Sequence, residues 1–322
     1  MKRKGPVLLG CVLVSAVACV FALFVALLLG SGGDSVSLRS PLGDKVGLVR
    51  IEEAIFDPKD AIEQIRYLAR NRHVKALVVR IDSPGGAVGA SQEIHNELLK
   101  AAEGEIENRP LRVVASFGNV AASGGYYVAC AADRIVSNPG TLTGSIGVIF
   151  SAPEMTQLID KFGLKFNTVK SGEFKDTGSF SRPMTDQDRA LLQSVIDDVH
   201  GQFMDDVVQG RREAIIALLA EDPFTSGQAT LDAAVHQHVR SIADGRIFSG
   251  RRAKELGLVD ELGSLRDAVE TACELAGIPA DSEVIEKPKK GKLSDVLFGS
   301  AESAARVLMR SLNAPLQYRM PF

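Results

Sequence analysis

The feature that most constrains the fold of this chain is an alternation of short β-branched runs with segments of helical periodicity. The runs VGLVRI (46–51) and ALVVRI (76–81) are typical of strands that are buried on both faces of a sheet. Apolar residues recur at helical spacing between them, over 57–71, and again over 90–102. This order predicts an α/β layered fold with parallel strands and right-handed crossovers.

The alternation continues towards the middle of the chain. A stretch at 117–120, FGNV, is typical of a loop that leads from a strand into the glycine-rich motif after it. Further strands are predicted for LRVVAS (111–116), RIVS (134–137) and SIGVIF (145–150).

The second half of the chain is predicted to be mainly helical. Its longest helix is expected over 186–209, where Thr185 and Asp188 match a capping box. The Ala-rich, partly polar stretch 211–241 then predicts a helical insertion. After it, a basic linker opens a C-terminal tail, 288–322, whose role the sequence does not define.

The first thirty residues differ from all the others. Three cations lie within the first four residues, and the run 6–30 then contains no charge. About 20 apolar residues span a bilayer as a helix, whereas a secretory signal has an apolar core of roughly 7–15 residues. We therefore predict an uncleaved transmembrane anchor over 1–30, followed by a small, polar tether over 31–45. A cleaved signal, or a lipoprotein signal ending at Cys19, is the alternative.

The cationic end of the anchor should stay in the cytoplasm, which places the rest of the chain on the outer side of the cytoplasmic membrane. The formal net charge of −3 over 322 residues gives no reason to expect nucleic acid as a partner. Outside the anchor, Cys130 and Cys273 occur without a CxxC or Cys/His cluster, which argues against zinc and favours two buried thiols over a disulfide. No GxGxxG or GxxxxGK[ST] motif is present, so no metal or cofactor is predicted.

Two glycine-rich motifs are candidates for a catalytic site. In ASGGYY (122–127), Ser123 precedes an Ala-rich helix, where a nucleophile would gain from the helix start and from the Gly124 N–H. The plain alternative is that Ser123 only caps that helix. In SPGG (83–86), a strand ends where backbone N–H groups could hold a developing oxyanion, although a simple strand-to-helix turn has the same pattern.

A serine nucleophile requires a base, and none of the histidines has a motif-like context. Two of them lie inside amphipathic helical patterns, which makes a Ser-His-Asp triad a poor interpretation. Lysine is the alternative when burial favours its neutral amine, and KSGEFKDTGSF (170–180) offers Lys170 and Lys175. The histidines are His73, His95, His200, His236 and His238.

These motifs and two others, taken in order, resemble the S49 serine peptidases in their short, single-anchor form. The resemblance extends over about 46–269, and it implies a peptidase domain over 46–287 with a layered fold similar to that of the Clp protease and the crotonases. The motifs that carry it are SPGG (83–86), ASGGYY (122–127), NPGTLTGSIGV (138–148), SGEFKDTGS (171–179) and GRIFSGRRAKELGLVDELG (245–263).

The resemblance also implies a role for individual residues. Ser123 matches the nucleophile, Lys175 matches the general base, and Ser145 matches a serine that orients the lysine. The N–H groups of Gly86 and Gly124 match the oxyanion hole.

The resemblance further implies substrates and assembly. The expected substrates are remnant signal peptides and other apolar peptides at the membrane surface. The expected assembly is a homo-oligomer, and the sequence leaves open whether Lys175 serves Ser123 of its own subunit or of the next one. The family often has a shorter connection than 211–241, so this insertion bears on substrate access or assembly. Two other functions remain open: an inactive membrane-anchored scaffold, and a crotonase-like acyl-CoA enzyme, for which an exported domain would lack the CoA supply.

Overall fold

The computed structural model describes residues 43–219, 228–288 and 317–319. The predicted anchor and nearly all of the predicted tether lie outside the described residues, as does most of the C-terminal tail. Within the described ranges, no helix combines the length and the apolarity that crossing a bilayer requires.

The strands confirm the main β-branched runs of the sequence. The first two, predicted over 46–51 and 76–81, extend by one to two residues at either end. The strands are β1 (Lys45–Glu52), β2 (Val74–Ser83), β3 (Gly85–Ala87), β4 (Arg112–Ala122), β5 (Arg134–Ser137), β6 (Leu142–Gly144), β7 (Ile247–Ser249), β8 (Glu261–Leu262), β9 (Glu283–Glu286) and β10 (Gln317–Arg319).

The main sheet has the order β7-β6-β4-β2-β1-β9, with β5 beside β4 and β8 beside β5. Its central strands β1, β2 and β4 pair in parallel, as the sequence predicts, whereas β7 pairs with β6 in the antiparallel sense at one edge. β3 lies outside this sheet and pairs antiparallel with β10. The mixed α/β fold with parallel strands is therefore present.

The helices predicted over 57–71, 90–102 and 186–209 are present with shifted ends, whereas the helices at 156–161 and 265–276 were not predicted. The 186–209 helix continues for another ten residues, because its apolar stripe reaches Ile215, which is fully buried against Gly257. The helices are α1 (Lys59–Ala69), α2 (Val88–Glu103), α3 (Gly124–Ala129), α4 (Thr156–Lys161), α5 (Asp186–Leu219), α6 (Gln228–Ile242), α7 (Gly250–Glu255) and α8 (Leu265–Ala276), with a 3-10 helix at Glu173–Asp176.

The two faces of the sheet bury separate apolar layers. On one face, Val46, Ala76 and Val114 pack with residues of α8. On the other, Val49, Leu77 and other strand residues pack with helices on that side, including the segment predicted as an insertion at 211–241; α4 contributes no buried residue. That segment is helical at both described ends, and Val235 and Val239 of α6 are buried in this layer.

Two predictions about the centre of the sheet are wrong. Residues 117–120 are not a loop, because β4 continues through them to Ala122. Residues 145–150 do not form a strand, because the backbone turns out of β6 at Ser145, whose φ of 51° is incompatible with extended structure. Both departures lie beside Ser123, where they shape the candidate site.

Candidate active site

Ser123 lies at a sharp turn between β4 and helix α3. Its φ of 53° and ψ of −118° are unusual for a residue that carries a Cβ. Backbone hydrogen bonds hold it there: its N–H donates to the Gly144 carbonyl at 2.8 Å, and its carbonyl accepts from the Tyr127 N–H at 2.8 Å. Strained backbone of this kind concentrates at functional sites, where the surrounding structure enforces it.

The Ser123 hydroxyl does not act as a helix cap. It makes no capping hydrogen bond to α3, and Oγ is buried without a hydrogen-bond partner among the described residues. An unsatisfied buried hydroxyl costs on the order of 1–3 kcal/mol. A side chain that serves the helix would not be left in this state, so the geometry favours a reactive hydroxyl over the capping alternative.

Ser145 lies directly beside this turn. β4 and β6 pair in parallel with Ala122 opposite Gly144, so Ser123 and Ser145 are the residues that follow one matched pair. Ser145 also has positive φ and is almost fully buried, and its N–H donates to the Arg246 carbonyl at 2.8 Å. The sheet register thus brings two serines from separate motifs to the same edge.

A bulge in β4 delivers Ser123 to its position. β2 and β4 are paired at Ile81 and Phe117 and again at Ser83 and Ala121, so Asp82 alone faces the three β4 residues between them. The Asp82 carboxylate accepts hydrogen bonds from the N–H groups of residues 119 and 120, at 3.2 and 3.1 Å, and from the Asn119 side chain at 2.9 Å. The sequence motifs did not single out Asp82, although it immediately precedes SPGG.

The two predicted oxyanion donors lie on neighbouring elements. Gly86 is in β3, where a Cβ would lie 2.0 Å from the Ile55 carbonyl oxygen, so no larger residue fits without backbone movement. A Cβ on Gly125 would lie 3.0 Å from the Ser83 carbonyl oxygen, which shows how closely the start of α3 approaches the end of β2. Gly124 is the first residue of α3, so its N–H has no acceptor within the helix.

Two tyrosines that follow Ser123 anchor α3 in the core. Tyr126 donates a hydrogen bond to the Leu258 carbonyl at 3.0 Å, and burial raises its pKa well above the ordinary value, so it remains a neutral donor. The Tyr127 hydroxyl donates to the carboxylate of Asp206 on α5. Cys130 ends this helix as a free thiol whose pKa burial raises to about 12, which makes it a poor nucleophile.

No histidine of the described residues hydrogen-bonds Ser123. His95 is the buried histidine that packs nearest this helix, with its ring 5.0 Å from that of Tyr127. Burial lowers the pKa of His95, partly offset by the charge of Asp206, and its Nδ1 has no partner among the described residues. The expectation that histidine does not supply the base is consistent with this geometry.

The two candidate lysines have different surroundings. Lys170 donates hydrogen bonds at 2.8 Å to the Glu173 carbonyl and to the Asp176 carboxylate, so it is engaged in holding the 3-10 helix. Lys175 lies within that helix and is exposed, and its side-chain amine has no hydrogen bond or ion pair among the described residues. Within one chain the structure does not bring Lys175 into hydrogen-bond contact with Ser123.

The segment 151–185, which carries Lys175, exposes an unusual amount of apolar surface. Val169 is 99% exposed and Phe162 is 73% exposed. Contiguous exposed apolar patches of this kind mark surfaces that bind another molecule. The exposed large apolar side chains of the segment are Met155, Leu158, Phe162, Leu164, Phe166, Val169, Phe174 and Phe180.

The pairing of β10 with β3 shows that an extended segment can bind along β3. Gln317, Tyr318 and Arg319 pair antiparallel with Ala87, Gly86 and Gly85 respectively. An extended segment therefore lies along the strand that carries one predicted oxyanion donor, which is how peptides bind to sheet edges.

Within the described ranges, no group of three or more His, Cys, Asp or Glu side chains could hold a metal ion.

Comparison with known proteins gives a consistent family. The sequence matches the model of Peptidase family S49 over residues 106–236 and 233–279. It is 39% identical over 249 residues to a protein of Synechocystis sp. provisionally named a protease, an alignment that covers 76% of this chain and 80% of that protein.

Two further relatives are longer than the region they share with this chain. A protein of Enterococcus faecium, provisionally named signal peptide peptidase SppA, is 30% identical over 216 residues, which cover 67% of this chain and 55% of that protein. The chloroplastic serine protease SPPA of Arabidopsis thaliana is 29% identical over 282 residues, which cover 86% of this chain and 36% of that protein.

Proposed function

Because the chain belongs to peptidase family S49 and is a serine peptidase, we propose that it cleaves peptides with a dyad of Ser123 and Lys175. The observation that carries this proposal is the state of Ser123. Its hydroxyl is buried, lacks a partner among the described residues, and is held at a strained turn directly before the Gly124 N–H at the start of α3. This is the geometry that an attacking oxygen requires.

The proposed reaction is acyl transfer in two steps. The neutral Lys175 amine removes the Ser123 proton while Oγ attacks the scissile carbonyl carbon, and the N–H groups of Gly86 and Gly124 bind the resulting oxyanion. The C–N bond then breaks, and the leaving amine takes the proton from the lysine. Water, deprotonated by the same amine, hydrolyses the acyl ester and returns Ser123 to its starting state. Ser145, beside Ser123, would orient the lysine.

We propose that the dyad forms between subunits of a homo-oligomer. Two observations support this: Lys175 makes no contact with Ser123 in its own chain, and its segment exposes eight large apolar side chains. Packing of that apolar surface on a neighbour would bury both the surface and the lysine. Burial of this kind favours the neutral amine that a general base must supply.

We further propose that the substrates are apolar peptides, remnant signal peptides among them, taken at the outer side of the cytoplasmic membrane. The name of the Enterococcus faecium relative and the uncharged run 6–30, read as an anchor, support this. The pairing of β10 with β3 supports binding of the peptide in an extended form.

The experiment that tests the dyad uses a fluorophosphonate probe on the full chain in detergent, followed by mass mapping. We expect an adduct on Ser123 that is absent from Lys175→Ala. No adduct on a folded, assembled sample would support the inactive scaffold, and turnover of an acyl-CoA thioester without peptide cleavage would support the crotonase-like alternative.

A mixing experiment tests the location of the dyad. Ser123→Ala and Lys175→Ala are each expected to be inactive, whereas their co-expression should restore about one quarter of the wild-type rate, because random mixing places both intact groups at one site in four. Failure to recover any activity in mixed oligomers would place both groups in one subunit.

A further inference from the structure

The 3-10 helix that carries Lys175 is tied to the start of α5 by a compact group of charges. At its centre, Arg182 donates to Asp176 at 2.8 Å and makes a bidentate contact with Asp188 at 2.5 and 3.0 Å. Asp176 is the residue after Lys175, and Asp188 lies in the first turn of α5. One guanidinium therefore joins the lysine-bearing helix to the body of the domain.

The hydrogen bonds around Asp188 leave this connection little freedom. Its carboxylate also accepts from the Thr177 hydroxyl at 2.7 Å and from the Thr185 N–H at 3.0 Å, while Thr185 accepts from the Asp188 N–H at 3.1 Å. Asp188 is only 2% exposed although it lies on a charged surface helix. The predicted capping box is thus present, and Arg182 extends it to the neighbouring segment.

Apolar packing does not provide an alternative connection. The residues from 170 to 176 are exposed or half-buried, and the 3-10 helix contains no buried residue. An arginine in a bidentate pair is a geometrically specific tie, which a lysine cannot reproduce. The position of the 3-10 helix consequently depends on the Arg182 contacts more than on burial.

We propose that Arg182 is a positioning residue for the general base: it fixes the helix that carries Lys175 and cancels the charge of Asp176 beside it. This inference rests on the proposed role of Lys175. Without Arg182, the helix would lose its tie to α5, and the Asp176 carboxylate next to the lysine would keep only Lys170 of its two cationic partners. A nearby negative charge favours the protonated amine, which is inactive as a base.

The 3-10 helix itself carries two carboxylates, those of Glu173, which is exposed, and Asp176. Lys170 contacts Asp176 from the preceding turn, and Arg182 contacts it from the following turn. These two cations hold the pKa of the Asp176 carboxyl well below its ordinary value, with Arg182 the larger cause. From α5, Asp188 faces Arg182, and Arg182 holds the pKa of that carboxyl well below its ordinary value as well.

The test is the pH dependence of peptide cleavage by the full chain in detergent, with kcat and KM measured separately. We expect Arg182→Gln to lower kcat about tenfold or more, since small misplacements of a catalytic group have large effects. The pH of half-maximal kcat should rise by about half a unit or more, as expected for an added nearby negative charge. KM should change little, because Arg182 does not contact β3.

Neutralising a charge within the same group separates positioning from mere stability. Asp176→Asn in the Arg182→Gln background removes the carboxylate that has lost its arginine partner and should return the pH of half-maximal kcat towards wild type. Asp176→Asn alone should lower it, and this single variant remains informative if Arg182→Gln does not fold. Arg266→Gln is the matched control, since Arg266 forms an exposed pair with Glu270 on α8.

Each outcome has a defined meaning. Loss of rate in Arg182→Gln with an unchanged pH of half-maximal kcat, not altered by Asp176→Asn, would reduce Arg182 to a structural role and overturn the proposal. Wild-type kinetics in Arg182→Gln would overturn it as well. If Lys175→Ala retains activity, the proposed dyad has failed, which is a different result from a failure of the Arg182 proposal alone.

Discussion

The two sides of the candidate site are built by different means. Ser123 is held by main-chain hydrogen bonds, sheet register and glycine packing, and it is fully buried within a single chain. Lys175 is held by a segment whose order depends on side-chain ion pairs and whose apolar side chains face outward. The proposed nucleophile is therefore fixed within one chain, whereas the proposed base lies on a segment whose large apolar side chains are exposed.

The difference indicates where control of activity lies. Changes near Ser123 should act through the geometry of one chain and should not depend on protein concentration. Substitutions in the segment 151–185 should act through assembly. Their effect on activity should therefore resemble the effect of diluting the protein. The following substitutions test this distinction, from the largest expected effect to the smallest.

Ser123→Ala should reduce peptide cleavage by about four orders of magnitude or more, the effect typical of losing a nucleophile. The melting temperature should not fall, because the hydroxyl removed is buried without a partner among the described residues. Thermal unfolding alongside a cleavage assay measures both. A marked loss of stability would indicate that Ser123 holds the turn through its side chain.

Lys175→Ala should reduce cleavage by about three orders of magnitude, and Lys175→Arg should not restore it, because arginine stays protonated. Secondary structure and the melting temperature of the dissociated chain should stay unchanged, since this side chain is exposed and unpaired within the described residues. Lys100→Ala, an exposed lysine on α2, is the control. Restored cleavage in Lys175→Arg would exclude Lys175 as the base, and the comparison between its surroundings and those of Ser123 would no longer concern catalysis.

Gly86→Ala should lower kcat by about 10²–10³, the typical effect of losing one oxyanion donor. The added methyl would meet the Ile55 carbonyl at 2.0 Å, so β3 must move. Gly89→Ala is the matched control, because no described atom lies within 4 Å of a methyl added at that position. If both variants keep full activity, the backbone of β3 takes no part in catalysis.

Asp82→Asn should lower kcat about tenfold and destabilise the fold by about 1–2 kcal/mol, because the carboxylate accepts hydrogen bonds that shape the β4 bulge. Asp133→Asn provides a comparison, because the Asp133 carboxylate also binds a backbone N–H of β4. It accepts from the Val113 N–H at 2.7 Å, at the end of β4 opposite to Ser123. Asp133→Asn should lower stability without a specific loss of kcat. Equal losses of kcat in Asp82→Asn and Asp133→Asn would mean that the β4 bulge has no specific role in catalysis.

The smallest expected effect is the loss of local stability around Arg182 at low pH. Because Arg182 holds the carboxyl pKa values of Asp176 and Asp188 below the ordinary range, their contribution to stability is fully present above about pH 4. It is lost as the pH falls through the lowered values. Hydrogen exchange of peptides covering 170–190 should therefore show unchanged protection from pH 7 to 5. Loss of protection already at pH 5 would contradict the network.

Local sequence patterns predict the central sheet and the place of the nucleophile well. VGLVRI and ALVVRI form paired strands because a β-branched run that is apolar on both faces has no other stable setting. Ser123 precedes a helix, as ASGGYY indicates, and Gly125 permits the close approach of that helix to β2. These features depend on neighbours in sequence.

Features that depend on distant partners were not predictable in the same way. The β4 bulge exists because Asp82 faces residues 37 and 38 positions further along the chain. The extension of α5 is fixed in part by buried Arg211, which makes hydrogen bonds of 2.9 and 2.8 Å with Asp260. Neither contact leaves a periodic signal. Arg182 lies just after the SGEFKDTGS motif. Its role can be inferred only from the structure, in which it contacts both Asp176 and Asp188.

If substrates bind alongside β3 as β10 does, the backbone of β3 would select among them independently of their side chains. A segment alongside β3 must offer its own amides and carbonyls, so it has to give up the hydrogen bonds it makes within a helix or a folded domain. Intact proteins would be spared because their backbones are occupied, whichever residues they expose. Selection would then depend on how long a chain remains unwound, and the first discrimination would be conformational and only the second chemical.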